Sequence, residues 1–224
     1  MPTLNEQAGI GKTIDSINKK FFKGNNWDLE VFIIDGRSKD KTQEIAKKKG
    51  AKIIIEKEKG YGRAYKTGMA QLKGDIIVTG DGDATYPFDE IHNYIQYLID
   101  EDLDFITTDR FAELKHGSMS VKHAFGNIVL ATVLKVLFLI NIRDSQSGMW
   151  IFKRKALKKI QTLEEFNDGM PFSEEIKIEM FSCKDLKCKE IPSTLYTREG
   201  RVKLDSFRDG WKNLKFLFKK RISD

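Results

Sequence analysis

Only two cysteines, Cys183 and Cys188, occur in the 224 residues. They lack the paired spacing of a zinc site, which excludes a metal-stapled finger and points to a reducing, cytoplasmic setting with inert thiols. Histidine is nearly as scarce, and His92, His116 and His123 are expected on the surface or in loops. The polar start, "MPTLNEQAGI", has no apolar core of a signal peptide, so none is expected. No internal repeat or low-complexity linker breaks the chain, and one domain is expected over residues 1–224. Acid is the minority charge, 33 Asp and Glu against 39 Lys and Arg, giving a net charge of +6. That balance favours anionic partners, either nucleotide phosphates or an anionic membrane surface. Nucleic acid ranks last because no zinc finger or RNA-binding aromatic motif is present. The 40% hydrophobic and 32% charged content is that of a soluble globular protein with a substantial core.

Long apolar runs are also few. The single case is Val121–Ile142, which barely reaches the ~20 residues of a membrane span. Lys135 lies near its middle, where a charge costs roughly 2.5–3.5 kcal/mol by insertion scales, so a span is rejected. Asn127, Ala131 and Lys135 make a narrow stripe at i, i+4, i+8. The helix is therefore mostly buried or rests on a membrane interface, and pattern alone favours a core helix.

The remaining chain alternates strands and helices. Helices are expected over about Ile10–Phe22, Lys41–Lys49, Arg63–Leu72, Asp89–Ile99, Glu174–Lys184 and Phe207–Ile222, with another beginning at Arg154. Strands are expected at Leu29–Asp35, Lys52–Glu56, Asp75–Gly80, Asp104–Thr108, Trp150–Lys153 and Lys187–Ile191. Ala112–Met119 reads as a polar loop. Such alternation means parallel βαβ units in a doubly wound α/β sheet, which binds ligands beyond the carboxyl ends of its strands. Asp35, Lys59, Asp81, Asp83 and Arg110 all fall at or just past such ends.

The most informative stretch is Asp75–Pro87, "DIIVTGDGDATYP". A buried strand there delivers Asp81 and Asp83 around Gly82. Two unit charges 4 Å apart repel by about 4 kcal/mol at an effective dielectric near 20. A cation or a hydrogen-bond network must neutralise the pair, and oxygen ligands with room for phosphates suit Mg2+ or Mn2+. A plain polar turn is the alternative, since Asp and Gly are common turn residues.

Seven segments taken in order resemble the family-2 glycosyltransferases of the GT-A fold, specifically the polyprenyl-phosphate (dolichol-phosphate) mannose and glucose synthases. They are Pro2–Glu6, "IIDGRSKDKT", "KGYGRAYKTG", Asp81–Asp83, Asp109–Phe111, "DSQSGMW" and "REGRVKL". The resemblance implies a mixed, mostly parallel sheet flanked by helices. It places Pro2, Leu4, Glu6, Ile33, Asp35, Lys59, Asp81 and Gly82 at the nucleotide-sugar. It assigns Asp81, Asp83 and Thr85 to a Mg2+ or Mn2+ ion, and Asp83, Arg110, Arg198 and Lys203 to catalysis. The loop carrying Arg198 and Lys203 is expected to act as a closing lid.

The implied donor is GDP-mannose, or alternatively UDP-glucose, and the implied acceptor is polyprenyl or dolichyl monophosphate. That acceptor is ionised at neutral pH, so no strong general base is required. Glu175 is either an acceptor-side carboxylate or a helix-surface residue. A peripheral membrane position follows, through the Val121–Ile142 helix and a basic amphipathic helix over about 205–222, or through a membrane partner protein. Thr85 stands where some mannose synthases have a glutamine that also touches the metal. Two further departures are the absence of the family's first strand before Pro2 and Gly36 in place of a second aspartate. They leave a non-catalytic sugar-nucleotide-binding or scaffold protein as a competing reading, which Asp81, Asp83, Arg110 and Arg198 together oppose. A dehydrogenase-type binder fails because Tyr65 occupies the third glycine position after Gly60 and Gly62.

Overall fold

The computed structural model describes residues 1–202 and 206–223. Among the described residues seven strands form two sheets. In the first, β1 (Pro2–Thr3), β2 (Phe32–Asp35) and β3 (Lys52–Ile55) are all parallel. In the second, β4 (Ile76–Val78), β6 (Trp150–Lys153), β5 (Phe105–Leu114) and β7 (Cys188–Leu195) lie side by side in that order. There β6 runs antiparallel to both neighbours, while β5 and β7 are parallel. Taken together the strand pairings are mixed and mostly parallel, as expected, but they are divided between two sheets.

The first sheet begins with a strand of only two residues, β1. Two residues of β1 pair with Ile34 and Asp35, and no hydrogen bond joins them to β4. Between the two sheets lies a cavity of about 890 Å³, lined in part by Phe32, Ile34, Ile77, Ile17, Phe22 and Ile95. It is mainly apolar, and none of the candidate carboxylates lines it.

Helices α1 (Ile10–Ser16) and α2 (Lys19–Gly24) replace the single helix expected through Phe22. Ile17 turns extended, and Asn18 then caps α2 by accepting the Phe21 N–H at 3.2 Å. Helices α3 (Thr42–Lys48), α4 (Tyr61–Gln71) and α5 (Ile91–Asp100) connect the next strands. Ile10, Ile14, Ile33 and Ala46 form one apolar cluster, while Tyr65, Phe105, Trp150, Phe152 and Phe172 belong to another.

β5 runs to Leu114, well beyond the expected end at Thr108, and continues into the segment read as a polar loop. Its register against β7 slips between Asp109 and Glu113, a bulge that contains Arg110. Bulges re-aim side chains in this way. β7 also continues through Pro192, which an edge strand tolerates because its outer face needs no donor. Beyond β5 come α6 (Val121–Phe138), α7 (Phe172–Ser182) and α8 (Ser206–Ser223). Only 22% of α6 is buried, so the core-helix reading is corrected: most of this helix faces outward.

Two glycines differ in what surrounds them. A Cβ at Gly62, in the first turn of α4, would meet Asn167 O at 2.1 Å and the Phe172 side chain at 2.7 Å. One at Gly126 in α6 would meet nothing within 4 Å. Gly62→Ala should therefore lower the chemical-denaturation midpoint, by about 1–3 kcal/mol of overpacking. Gly126→Ala should raise it by up to ~1 kcal/mol through helix propensity. Equal effects of the two substitutions would contradict the packing described.

Candidate active site

The carboxyl ends of β1, β2, β4, β5 and β7 open on one edge of the fold, and the loop entering antiparallel β6 reaches that same edge. Glu6 follows β1, Asp81 and Asp83 follow β4, Arg110 sits in the β5 bulge and Arg198 follows β7. Asp83 is held from several sides. Thr85 donates to its Oδ1 through both Oγ1 (2.7 Å) and the backbone N–H (3.1 Å). The Glu199 N–H reaches the Asp83 carbonyl at 2.9 Å, and Ala84, with φ of +65°, donates its N–H to Thr13 Oγ1 at 3.0 Å.

The other oxygen of Asp83, Oδ2, accepts from Arg198 Nη1. Nη2 of the same guanidinium donates to Glu6 Oε1 at 2.7 Å. Arg198, from late in the chain, thus bridges two carboxylates of its N-terminal half. Asp81 stands nearby, its carboxyl pushed up to about 7 by burial first and by the Asp83 charge second. The Arg110 and Arg198 charges oppose that rise.

The oxygen set suits a Mg2+ or Mn2+ ion that shares its coordination sphere with phosphates and water. Asp81 and Asp83 supply hard oxygens, and Arg198 already shows where the cluster takes positive charge. Among the described residues no group of three or more His, Cys, Asp and Glu could hold a metal ion. Two carboxylates alone would leave most positions on such an ion to other oxygens.

Arg110 is locked behind this cluster. Its Nε and Nη2 donate to Asp144 at 2.6 and 2.9 Å, a bidentate pair, and its backbone N–H adds a third bond at 3.1 Å. Asp144 also accepts from Asn127 of α6 at 2.7 Å. Burial alone would raise the Asp144 carboxyl, but the Arg110 charge overrides it and holds the group at about 2. Along the same loop, Gln146 donates to Glu174 at 2.6 Å and accepts from Asn213 of α8 at 2.6 Å. Lys177 Nζ reaches the Ser145 and Ser147 carbonyls, each at 2.7 Å. Residues 144–149 are thereby fixed to α6, α7 and α8 at once.

The other sequence-marked residues divide. Asp35 is fully buried, and its carboxylate accepts from Ser38 N (2.7 Å), Ser38 Oγ (2.5 Å), Gln43 Nε2 (2.7 Å) and Thr3 Oγ1 (3.3 Å). It shapes the turn after β2. Pro2 pairs with Ile34, Leu4 is exposed beside Gly36, and Gly82 packs against Thr3 and Ile10. Ile33 is a core residue, and Lys59 is exposed with no bond to the carboxylates. The first turn of α4 spends its free donors on the protein, Gly62 N–H to Gly169 O and Arg63 N–H to Asp168 O. Glu175 is not a helix-surface residue: it is buried and accepts the Asn167 N–H at 2.6 Å. Lys203 lies outside the described residues. The Asp144, Gln146, Glu174 and Lys177 network went unassigned, although the "DSQSG" segment marked its position.

A family model described as glycosyl transferase family 2 matches residues 1–161. The chain is 36% identical over 222 residues to the low-salt glycan biosynthesis hexosyltransferase Agl6 of Haloferax volcanii. That match covers 97% of this chain and 52% of the relative, so the chain spans about half of that protein's length. It is 30% identical over 210 residues to a dolichyl-phosphate hexose transferase of the same organism, covering 94% of this chain and 87% of the relative. In fold it is similar to glucosyl-3-phosphoglycerate synthase from Mycobacterium tuberculosis, crystallised with Mn2+, uridine diphosphate and phosphoglyceric acid. That likeness has a TM-score of 0.76 and 20% identity, covering 98% of this chain and 76% of that one.

Glu174 offers a pH test of the loop network. It is fully buried, its Oε2 has no hydrogen-bond partner, and burial pushes its carboxyl up to about 8. The folded protein then keeps a proton that the unfolded chain releases near the ordinary carboxyl value of 4.5. Its contribution to stability is full below that value and is lost as pH rises through about 8. Melting curves should show wild type losing stability relative to Glu174→Gln between those limits, while a constant gap would contradict the assignment.

Proposed function

The chain belongs to glycosyl transferase family 2, and from that premise we propose that it transfers a hexose from a nucleotide-diphosphate sugar to a polyprenyl or dolichyl monophosphate. The observation that carries this reading is the pair of carboxylates, Glu6 and Asp83, bridged by Arg198 beside Asp81. An anion-paired guanidinium at the open edge of the sheet is poised to exchange a carboxylate for phosphate oxygens. The names of the two Haloferax volcanii relatives, a hexosyltransferase and a dolichyl-phosphate hexose transferase, support the hexose and the acceptor class.

In the proposed reaction an anionic oxygen of the lipid phosphate attacks C1 of the sugar. The C1–oxygen bond to the nucleoside diphosphate breaks, and the diphosphate departs with the electron pair. The attacking oxygen carries no proton, so the chain needs no histidine as a base. Asp81 and Asp83 would hold Mg2+ or Mn2+, which when bound supplies positive charge to the departing diphosphate as a Lewis acid. Arg198 offers a two-pronged donor to the same phosphates. Arg110, fixed by Asp144, keeps its cation in one orientation, which avoids reorganisation as charge develops. Asp35 acts on the donor side through the Ser38 turn that it shapes. The site works at the cytoplasmic membrane face, with the protein held there peripherally or by a membrane partner. GDP-mannose is the first donor to supply and UDP-glucose the second.

Transfer of labelled hexose from each donor to dolichyl phosphate, with Mn2+ or Mg2+ present, tests the reading. Wild type should form the lipid-linked sugar with one donor. Arg198→Ala should lower kcat at least tenfold, about 1.4 kcal/mol of transition-state stabilisation. Arg201→Ala, whose side chain is exposed, should stay near wild type. Equal losses in both variants would reduce the loop to a basic patch. No transfer from either donor would contradict the proposed activity.

A further inference from the structure

Both backbone groups of Gly148 are engaged by side chains from other elements. Its N–H donates to the Tyr86 hydroxyl at 2.7 Å. Its carbonyl accepts from Thr79 Oγ1 at 2.8 Å and from the Tyr65 hydroxyl at 3.4 Å. The loop at residues 144–149 is thereby tied to the chain on either side of Asp81 and to α4.

Three oxygens converge on the side of Gly148 where a side chain would stand. A Cβ there would meet the Tyr61 hydroxyl at 2.5 Å, the Tyr86 hydroxyl at 3.4 Å and Asp81 Oδ1 at 3.8 Å. Even a methyl group does not fit without displacing one of them. Tyr61 has little room to retreat. Its ring meets Tyr65 edge-on at 5.0 Å, and Tyr65 stacks on Phe172 at 5.5 Å and packs against Trp150.

The two phenols keep hydrogen-bonding capacity in reserve. Tyr86 is buried and accepts the Gly148 N–H, and among the described residues no acceptor takes its own proton. Tyr61 is half-buried and reaches the Tyr65 hydroxyl at a long 3.3 Å. Burial, the largest cause for each, holds both phenols above their ordinary range, so each retains a proton to donate.

We propose that Tyr61 and Tyr86 recognise the sugar, their hydroxyls pairing with hydroxyl groups of the transferred hexose over the bare face of Gly148. The surroundings select this ligand chemistry. Phenol hydroxyls both donate and accept, as sugar hydroxyls do, and the third oxygen is a carboxylate, which suits hydroxyls and repels phosphate. The Arg110 and Arg198 charges act on Asp81 from its other neighbours. A sugar joined to a diphosphate would thus lay its charged half on the cations and its neutral half on the phenols. Polar groups placed to pair a substrate hydroxyl also reject an analogue that lacks it, which makes the two tyrosines determinants of specificity. The assignment rests on the nucleotide-sugar donor proposed above and refines it.

The test is calorimetric titration with GDP-mannose and UDP-glucose, and with GDP and UDP alone, Mn2+ being present throughout. Wild type should bind one of the two nucleotide sugars. Tyr61→Phe keeps the packed rings and removes one hydroxyl. It should weaken that nucleotide sugar by about fivefold or more, the size of one lost hydrogen bond, and leave the bare diphosphate unchanged. Tyr86→Phe should show the same selective loss with a lower melting temperature, because the Gly148 N–H loses its acceptor. Gly148→Ala should lose sugar affinity and stability together. Adding Tyr61→Phe to Gly148→Ala removes the oxygen that the new methyl meets, and should restore the melting curve without restoring sugar affinity. Equal weakening of nucleotide sugar and diphosphate in Tyr61→Phe would overturn the proposal, as would sugar affinity that returns with stability in the double variant. Wild type that binds neither nucleotide sugar would overturn it as well. Selective losses as expected, with no hexose passed to dolichyl phosphate by wild type, would leave the sugar contacts standing and sink the transferase reading.

Discussion

Negative charge gathered in one place must be matched by a cation, and the site of this protein is organised by that requirement. Glu6 and Asp83 come from loops far apart in sequence and meet on the Arg198 guanidinium, with Asp81 beside them. Without a cation at that point, the carboxylates would either repel each other or take up protons. Arg198 satisfies the requirement from within the chain. It also closes the loop after β7 over the one after β4, where Glu199 N–H and Tyr196 N–H add backbone bonds to Asp83 and Thr85. On the proposed function a divalent ion would meet the same requirement, and ion and guanidinium would then compete for one oxygen of Asp83, freeing Arg198 for the donor phosphates.

A second constraint acts behind the first. Arg110, Asp144, Glu174 and Lys177 bring ionisable groups into a buried region, where each needs a partner or loses its charge. Arg110 and Asp144 keep theirs by pairing. Burial pulls Lys177 down to about 7 even with Asp144 close by. The loop at residues 144–149 serves as the frame of this network, bonded to three helices. Rigidity at the phosphate edge and exposure of α6 and α8 therefore belong to one arrangement: the helices spend polar residues inward on the loop and turn apolar residues outward.

Much of this was legible in the chain. The β-branched runs located six of the seven strands, and Trp150–Lys153 was placed to the residue. Asp81, Asp83 and Arg198 were marked by the motifs of the resemblance, and the structure brings Asp83 into contact with Arg198 with Asp81 nearby. The misses have physical causes. Local propensity could not foresee that β5 would extend past a bulge, because the extension depends on pairing with β7. Periodicity could not tell an exposed apolar helix from a buried one, since α6 is apolar nearly all round. The role of Glu6 toward Arg198 lay beyond any local pattern, the two being separated by most of the chain. The helix-surface reading of Glu175 failed because its buried partner, the Asn167 N–H, leaves no trace in sequence.

The competition at Asp83 can be measured without turnover. Mn2+ titration by calorimetry or electron paramagnetic resonance, with no nucleotide present, should show weak binding to wild type. Binding should be lost in Asp83→Ala and should tighten in Arg198→Ala, where no guanidinium contests the carboxylate. Unchanged affinity in Asp83→Ala, or weaker binding in Arg198→Ala, would contradict the view that Arg198 and a metal ion satisfy the same carboxylates in turn.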